Sequence, residues 1–167
     1  LREEVNPVFS TAHSCLQIVA RTGDEDSENL RKVLGITEFL ADANERGPQM
    51  PEEAKKLLLY LMPVFRSLVE ARFFSLNNFI TKNGVKNVVD LPSGYTSRGI
   101  KLAKSGIRYF GFDLPAVIDS MKSAVEKVIG ENENVRYHEV DATNYASLKN
   151  GLGDVEALSA VVVPGIG

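Results

Sequence analysis

From Pro7 to about Arg21 the apolar positions Val8, Phe9, Ala12, Leu16, Ile18 and Val19 fall roughly on one helical face, and Thr22-Gly23-Asp24 ends the run. A first helix is expected there. A second is expected from about Ser27, its N-cap, to Asn44, with Leu30, Val33, Leu34, Phe39 and Leu40 as the apolar stripe and Arg46-Gly47-Pro48 as the following turn. Pro51-Glu52-Glu53 opens a third helical region, with proline in the first turn and acids at the positive end of the helix dipole. It continues through Leu57, Leu58, Leu61 and Phe65 towards Ile80. Pro63 is expected to divide or kink it, because proline removes a backbone donor inside a helix.

From Gly84 onward the period changes. Val85 to Leu91 is a short apolar run suited to a buried parallel strand, and Ser97 to Lys104 reads as a helix closed by Ser105-Gly106. Ile107 to Phe112 forms the second strand. Asp113 is expected to cap the next helix, Leu114 to about Ile129, whose Val117, Ile118, Met121, Val125 and Val128 recur at helical spacing before Gly130 stops it. Val135 to Val140 gives a third strand, Tyr145 to Leu148 a short helical turn, and Ala157 to Val163 a fourth strand. Strands alternating with helices make this an α/β chain, with a parallel sheet and right-handed crossovers.

The 167 residues, 44% of them hydrophobic, suffice for one domain with a core and a helical prelude. A net charge of -3 gives no basic footprint for a phosphate backbone, so nucleic acid is not expected as a partner. The single cysteine, Cys15, has no disulfide partner in the chain, which suits a reducing compartment, and the expected location is the cytoplasm. No apolar run approaches the roughly 20 residues that span a bilayer, and no membrane association is expected. The chain begins without methionine and stops at Pro164-Gly165-Ile166-Gly167 directly after an apolar run, so the sequence reads as a piece of a longer protein.

Three strands in succession end in an aspartate: Asp90, Asp113 and Asp141. Polar groups thus gather at the carboxyl edge of a parallel sheet, where ligands of open α/β sheets bind. After the first strand the backbone reverses sharply at Pro92-Ser93-Gly94-Tyr95, and Gly94 lacks the side chain that would obstruct the reversal or a ligand's approach. Asp113 follows nineteen positions later, where an acid can accept hydrogen bonds from two ribose hydroxyls. Asp141 and Ala142 are placed to border the edge and face of an adenine ring. Each feature also has a plain structural reading, as a βα turn or a helix cap. The dinucleotide pattern G-x-G-x-x-G fits poorly, since Pro92 to Ser97 keep only the middle glycine, and a nicotinamide-dependent oxidoreductase is the weaker alternative.

These residues resemble motifs I, II and III of class I methyltransferases that use S-adenosylmethionine. Within that class, Asp90-Leu91-Pro92-Ser93-Gly94-Tyr95-Thr96-Ser97-Arg98 and Gly111-Phe112-Asp113-Leu114-Pro115-Ala116-Val117 look like the leucine carboxyl methyltransferase-like branch, which includes O-methyltransferases associated with polyketide synthesis. The resemblance covers roughly Arg72 to Asn144. It implies a Rossmann-like sheet, incomplete at about four strands, with residues 1–83 as a helical segment on the lid or acceptor side and residues 84–167 as the cofactor-binding part. By the family's pattern Asp90, Leu91, Pro92, Ser93, Gly94 and Tyr95 line the methionine portion, Asp113 with Leu114 beside it holds the ribose, and Asp141 with Ala142 meets the adenine. An N-terminal arginine belongs near the cofactor carboxylate; Arg72 is the candidate and Arg98 a second.

The implied reaction moves a methyl group to a carboxylate or hydroxyl oxygen of a small-molecule acceptor. Two departures stand out. Pro92 occupies a place where the class has glycine, and Val161 to Gly167 replace the Glu-Gly-Leu-Leu-like segment that follows the fourth strand, so the acceptor side is missing or altered. An incomplete sheet also exposes an edge, through which a truncated, non-catalytic module would pair with another copy or chain. His13 and Cys15, two apart on the first helix, diverge and are expected to be structural, and His138, with no carboxylate cluster or cysteine at metal-ligand spacing, is assigned no catalytic role. No metal site and no nucleophile motif is expected.

Overall fold

The computed structural model describes residues 7–36, 51–153 and 160–162. The elements in order are α1 (Pro7–Ala20), α2 (Glu25–Val33), α3 (Glu52–Lys82), β1 (Asn87–Asp90), α4 (Arg98–Lys104), β2 (Arg108–Asp113), α5 (Pro115–Ile129), β3 (Val135–Glu139), α6 (Tyr145–Leu152) and β4 (Ala160–Val162). The chain divides into two compact units between Leu76 and Asn77, inside α3.

In the first unit α1 and α2 pack on each other, with Leu16, Ile18, Val19, Leu30 and Phe73 buried. The cap of α2 differs from the expected Ser27. Asp24 is the N-cap, and its Oδ2 accepts from the Ser27 backbone N–H (3.0 Å) and the Ser27 hydroxyl (2.7 Å). A carboxylate serves the positive helix end better than a hydroxyl, and Ser27 is consumed as its donor. The expected residues from Thr37 to the Arg46-Gly47-Pro48 turn, Phe39 and Leu40 among them, lie outside the described residues. Helix α3 is not divided at Pro63. Pro63 and Leu59, whose carbonyl loses its partner, are both exposed, so that water can reach that carbonyl.

The second unit is an α/β fold with helices around a small parallel sheet of order β3-β2-β1-β4. The register pairs Asp90 with Gly111, and Asp113 with Glu139, so the three strands end at a common edge. On one face Val89, Phe110, Phe112 and Val140 form a core against which Leu91, Leu148 and Leu152 pack, the last two from α6. Full burial of each such side chain stabilises by about 1.5–3 kcal/mol. His138 lies on this face, its ring stacked on Phe112 (centroids 5.0 Å apart, 16° between planes).

The opposite face carries Val88, Asp90, Tyr109, Gly111, Asp113 and Tyr137, by the alternation of the strands. Here α4 sits close, because Gly99 brings no side chain. A Cβ on Gly99 would lie 2.8 Å from the Tyr109 ring, and one on Gly111 would lie 2.6 Å from the Tyr137 ring. The two tyrosines meet edge to face, 6.0 Å between centroids. Helix α5 starts from Pro115 at N1 and stops at Gly130, and its N-cap is Leu114, not the expected Asp113. Helix α6 extends four residues beyond the expected turn, its N-cap Asn144 accepting from the Ala146 and Ser147 amides. Strand β4 is described over Ala160–Val162; positions 157–159 and 163 of the expected strand lie outside the described residues.

Candidate functional site

After β1 the chain keeps pairing with β2 through the turn. The Ser93 N–H donates to the Phe112 carbonyl (2.9 Å), and the Gly94 N–H donates to Asp113 Oδ2 (2.7 Å). The last rung of the ladder is thus a side chain. Gly94 reaches it at φ +57°, in the left-handed region where a Cβ is strained. The other oxygen of Asp113 accepts from the Leu114 N–H (2.8 Å), and the Asp113 carbonyl accepts from Val140 N–H (2.8 Å). One aspartate therefore fastens the β1–α4 turn, the start of α5 and the end of β3. Tyr95 and Ser93 are buried, Leu91 and Gly94 half-buried, and Pro92 and Leu114 exposed.

Behind the turn lies a polar cluster. Asp90, fully buried, accepts at Oδ2 from Arg98 Nη1 and from the Tyr109 hydroxyl (3.0 Å). Arg98 Nε also donates to Asn77 Oδ1 (3.1 Å). Burial pushes the Asp90 carboxyl up to about 6; the Arg98 charge, the Tyr109 and Arg98 hydrogen bonds pull the other way, and Asp113 adds like-charge repulsion. Burial likewise raises the Tyr109 and Tyr137 phenols, and both stay protonated. Asp90 Oδ1, Ser93 Oγ, Asn77 Nδ2 and Tyr137 OH are buried without a partner among the described residues. Such atoms are uncommon in folded proteins.

The third acid behaves differently. Asp141 and Ala142 are exposed. Asp141 Oδ1 accepts from the Thr143 N–H (2.9 Å) and hydroxyl (2.6 Å), which hold its carboxyl below the usual range, and its own N–H donates to Ser147 Oγ (3.0 Å). These contacts organise the turn into α6.

The structure thus joins Asp90, Ser93, Gly94, Asp113 and Leu114 through β1, β2 and the turn between them, while Asp141 and Ala142 stand at the end of the neighbouring β3. Arg72 belongs to the first unit, where it is exposed and its charge pulls the Cys15 thiol down against a larger upward push from burial. Arg98, the second arginine considered for a ligand carboxylate, is buried with its fork turned to Asp90 and Asn77. Sequence reasoning missed Asn77, Tyr109 and Tyr137. Strand alternation could have found the tyrosines, since Tyr109 and Gly111 share a face with Asp113, and the β2–β3 register adds Tyr137.

Among the described residues no group of three or more His, Cys, Asp or Glu side chains is placed to hold a metal ion, and no helix is long and apolar enough to cross a membrane. No family model, curated protein or solved structure matches the chain.

Proposed function

We propose that the second unit is a Rossmann-like cofactor-binding fold and that the protein is an S-adenosylmethionine-dependent O-methyltransferase acting on a carboxylate or hydroxyl of a small molecule. The observation that carries this reading is the 2.7 Å bond from the Gly94 N–H to Asp113. It unites the glycine turn and the acid nineteen positions on into one surface at the carboxyl edge of the sheet, and the strand order reverses beside it, between β2-β1 and β4. The residues fit such a ligand. Asp113 takes one backbone N–H on each oxygen and a carboxylate has about four acceptor positions, so both oxygens can still receive hydroxyl donors.

S-adenosylmethionine supplies an electrophilic methyl group on a sulfonium. The chain's task would then be to align that methyl group with an acceptor oxygen and to exclude water. An ionised carboxylate acceptor brings no proton, so it needs no base; a hydroxyl acceptor needs one within hydrogen-bond reach.

Isothermal calorimetry with S-adenosylmethionine and S-adenosylhomocysteine tests the reading: micromolar-range binding is expected, strongly weakened in Asp113→Ala. No heat with either ligand on folded protein would sink it. One observation favours a second reading, a non-catalytic module: β4 is paired on one side only among the described residues, leaving an edge for another chain. A dimer that buries β4, with cofactor binding but no turnover on any acceptor, would select it.

A further inference from the structure

Helix α3 carries apolar side chains on two opposite faces. One face turns inward: Phe73 is buried, and Met62, Phe65 and Val69 are half-buried. The other face turns to solvent. Leu57, Leu61, Val64, Leu68 and Ala71 recur four, three, four and three residues apart, and at about 100° per residue they fall, with Tyr60, within about 60° of Val64. The five larger side chains are exposed, from 47% at Leu61 to 77% at Tyr60. Arg66 and Glu70, the charged residues between Leu57 and Ala71, both lie outside this sector. A helix that is apolar on both sides is covered on both sides in its working state, and the alternation of fours and threes is the spacing that a second helix packs against. The sector offers about 400 Å² of apolar surface, taking about 100 Å² for a whole aliphatic side chain and about 200 Å² for a tyrosine. Homodimer interfaces are about two-thirds apolar, so two such faces would bury on the order of 1,200 Å² in all, the lower end of specific interfaces.

We propose that this face of α3 pairs with the same face of a second copy of the chain, the two helices running antiparallel about a two-fold axis between Leu61 and Val64. The face is complementary to itself in that arrangement. Leu57 of one copy meets Leu68 of the other, Leu61 meets Val64, and the small Ala71 closes each end. The flanking charges agree with the direction. Lys56 of one copy comes alongside Glu70 of the other, twice over by symmetry, whereas a parallel pair would set Lys56 against Lys56 and Glu70 against Glu70. The pairing does not rest on the function proposed above. It also leaves β4 uncovered, so it differs from association through the sheet edge.

Sedimentation velocity of the whole chain, diluted from high to low micromolar concentration, tests the pairing. The mass is expected to fall from two chains to one over that range, as an interface at the lower end of the specific sizes implies. Leu61→Glu and Leu68→Glu each place a charge in the sector and should stay at one chain throughout. Leu59→Glu, exposed on the same helix but about 140° round from Val64, should still dimerise. Circular dichroism keeps a lost dimer distinct from a lost fold. Lys56→Glu or Glu70→Lys alone should weaken the dimer about threefold to tenfold, and the two together should restore it. Val64→Cys, beside the axis, should close a cross-linked dimer on mild oxidation in a Cys15→Ser background, and Leu59→Cys should not. A one-chain mass at every concentration would overturn the self-pair and leave the face to a partner of different sequence. A dimer that survives both Leu61→Glu and Leu68→Glu, as one joined through β4 would, overturns it as well. Failure of the charge exchange to restore affinity would overturn the antiparallel arrangement.

Discussion

The Gly94 amide and the Asp113 carboxylate meet at 2.7 Å, and through that bond a side chain replaces the carbonyl that would otherwise end the β1–β2 ladder. The consequence is that the acid at the end of β2 has two tasks, fastening the turn and facing the carboxyl edge of the sheet. The two separate under substitution. Asp113→Asn keeps one carbonyl acceptor for the two backbone N–H groups and leaves the other N–H unsatisfied, at a cost of about 1–3 kcal/mol; Asp113→Ala leaves both. Urea unfolding should show the midpoint falling in the order wild type, Asn, Ala at constant m-value. Equal stability of all three proteins would refute the fastening role.

Tyr137 occupies space that exists because residue 111 is glycine. A Cβ there would stand 2.6 Å from Tyr137 Cε1, so Gly111→Ala is expected to destabilise by about 1–3 kcal/mol through overpacking. In a Tyr137→Ala background the same substitution should cost much less. A double-mutant cycle measures the coupling, and purely additive effects would show that the close approach carries no energy.

The α/β class, the strand-helix alternation and the acids at the strand ends were legible because burial leaves a direct trace in hydrophobic period. Val88, Val89, Phe110 and Phe112 are apolar because they are buried, and they read as strands from composition alone. Hydrogen-bond partnership leaves no such trace. Asp113 reads equally well as a helix cap, a turn clamp or a ligand acid, and the backbone assigns the cap position to Leu114 while Asp113 clamps Gly94. Arg98 in a helix's first turn reads as a solvated charge; what buries it are Asp90, eight residues back, and Asn77, twenty-one residues back, a convergence no local pattern encodes. Pro63 misled for a related reason, since whether a missing donor breaks a helix depends on whether water can reach the carbonyl it abandons.

The cap of α2 offers a local test within the first unit. Asp24 binds both donors of Ser27, so Asp24→Ala should cost about 0.5–2 kcal/mol and Ser27→Ala less, since it spares the backbone bond. Thermal unfolding followed by circular dichroism checks the ranking. The reverse order would place the energy of this cap in the Ser27 hydroxyl.

The buried pair of Asp90 and Arg98 makes the sharpest energetic prediction, because an ionised Asp90 is costly to bury without its cation. Arg98→Met strands an ionised carboxylate at pH 7 and is expected to cost about 3–5 kcal/mol, and the double substitution with Asp90→Asn less. The sign of the pH dependence follows from burial outweighing the arginine. Asp90 in the folded chain holds its proton up to about 6, above its usual 3.8, so folding binds the proton. Its contribution to stability is therefore complete below 3.8 and is lost as pH rises through about 6. The stability of the wild type relative to the double variant should accordingly decline between pH 4 and pH 6.5 and level off above, in urea titrations at matched ionic strength. A relative stability that rises with pH over this interval would mean that Arg98, rather than burial, governs the Asp90 carboxyl.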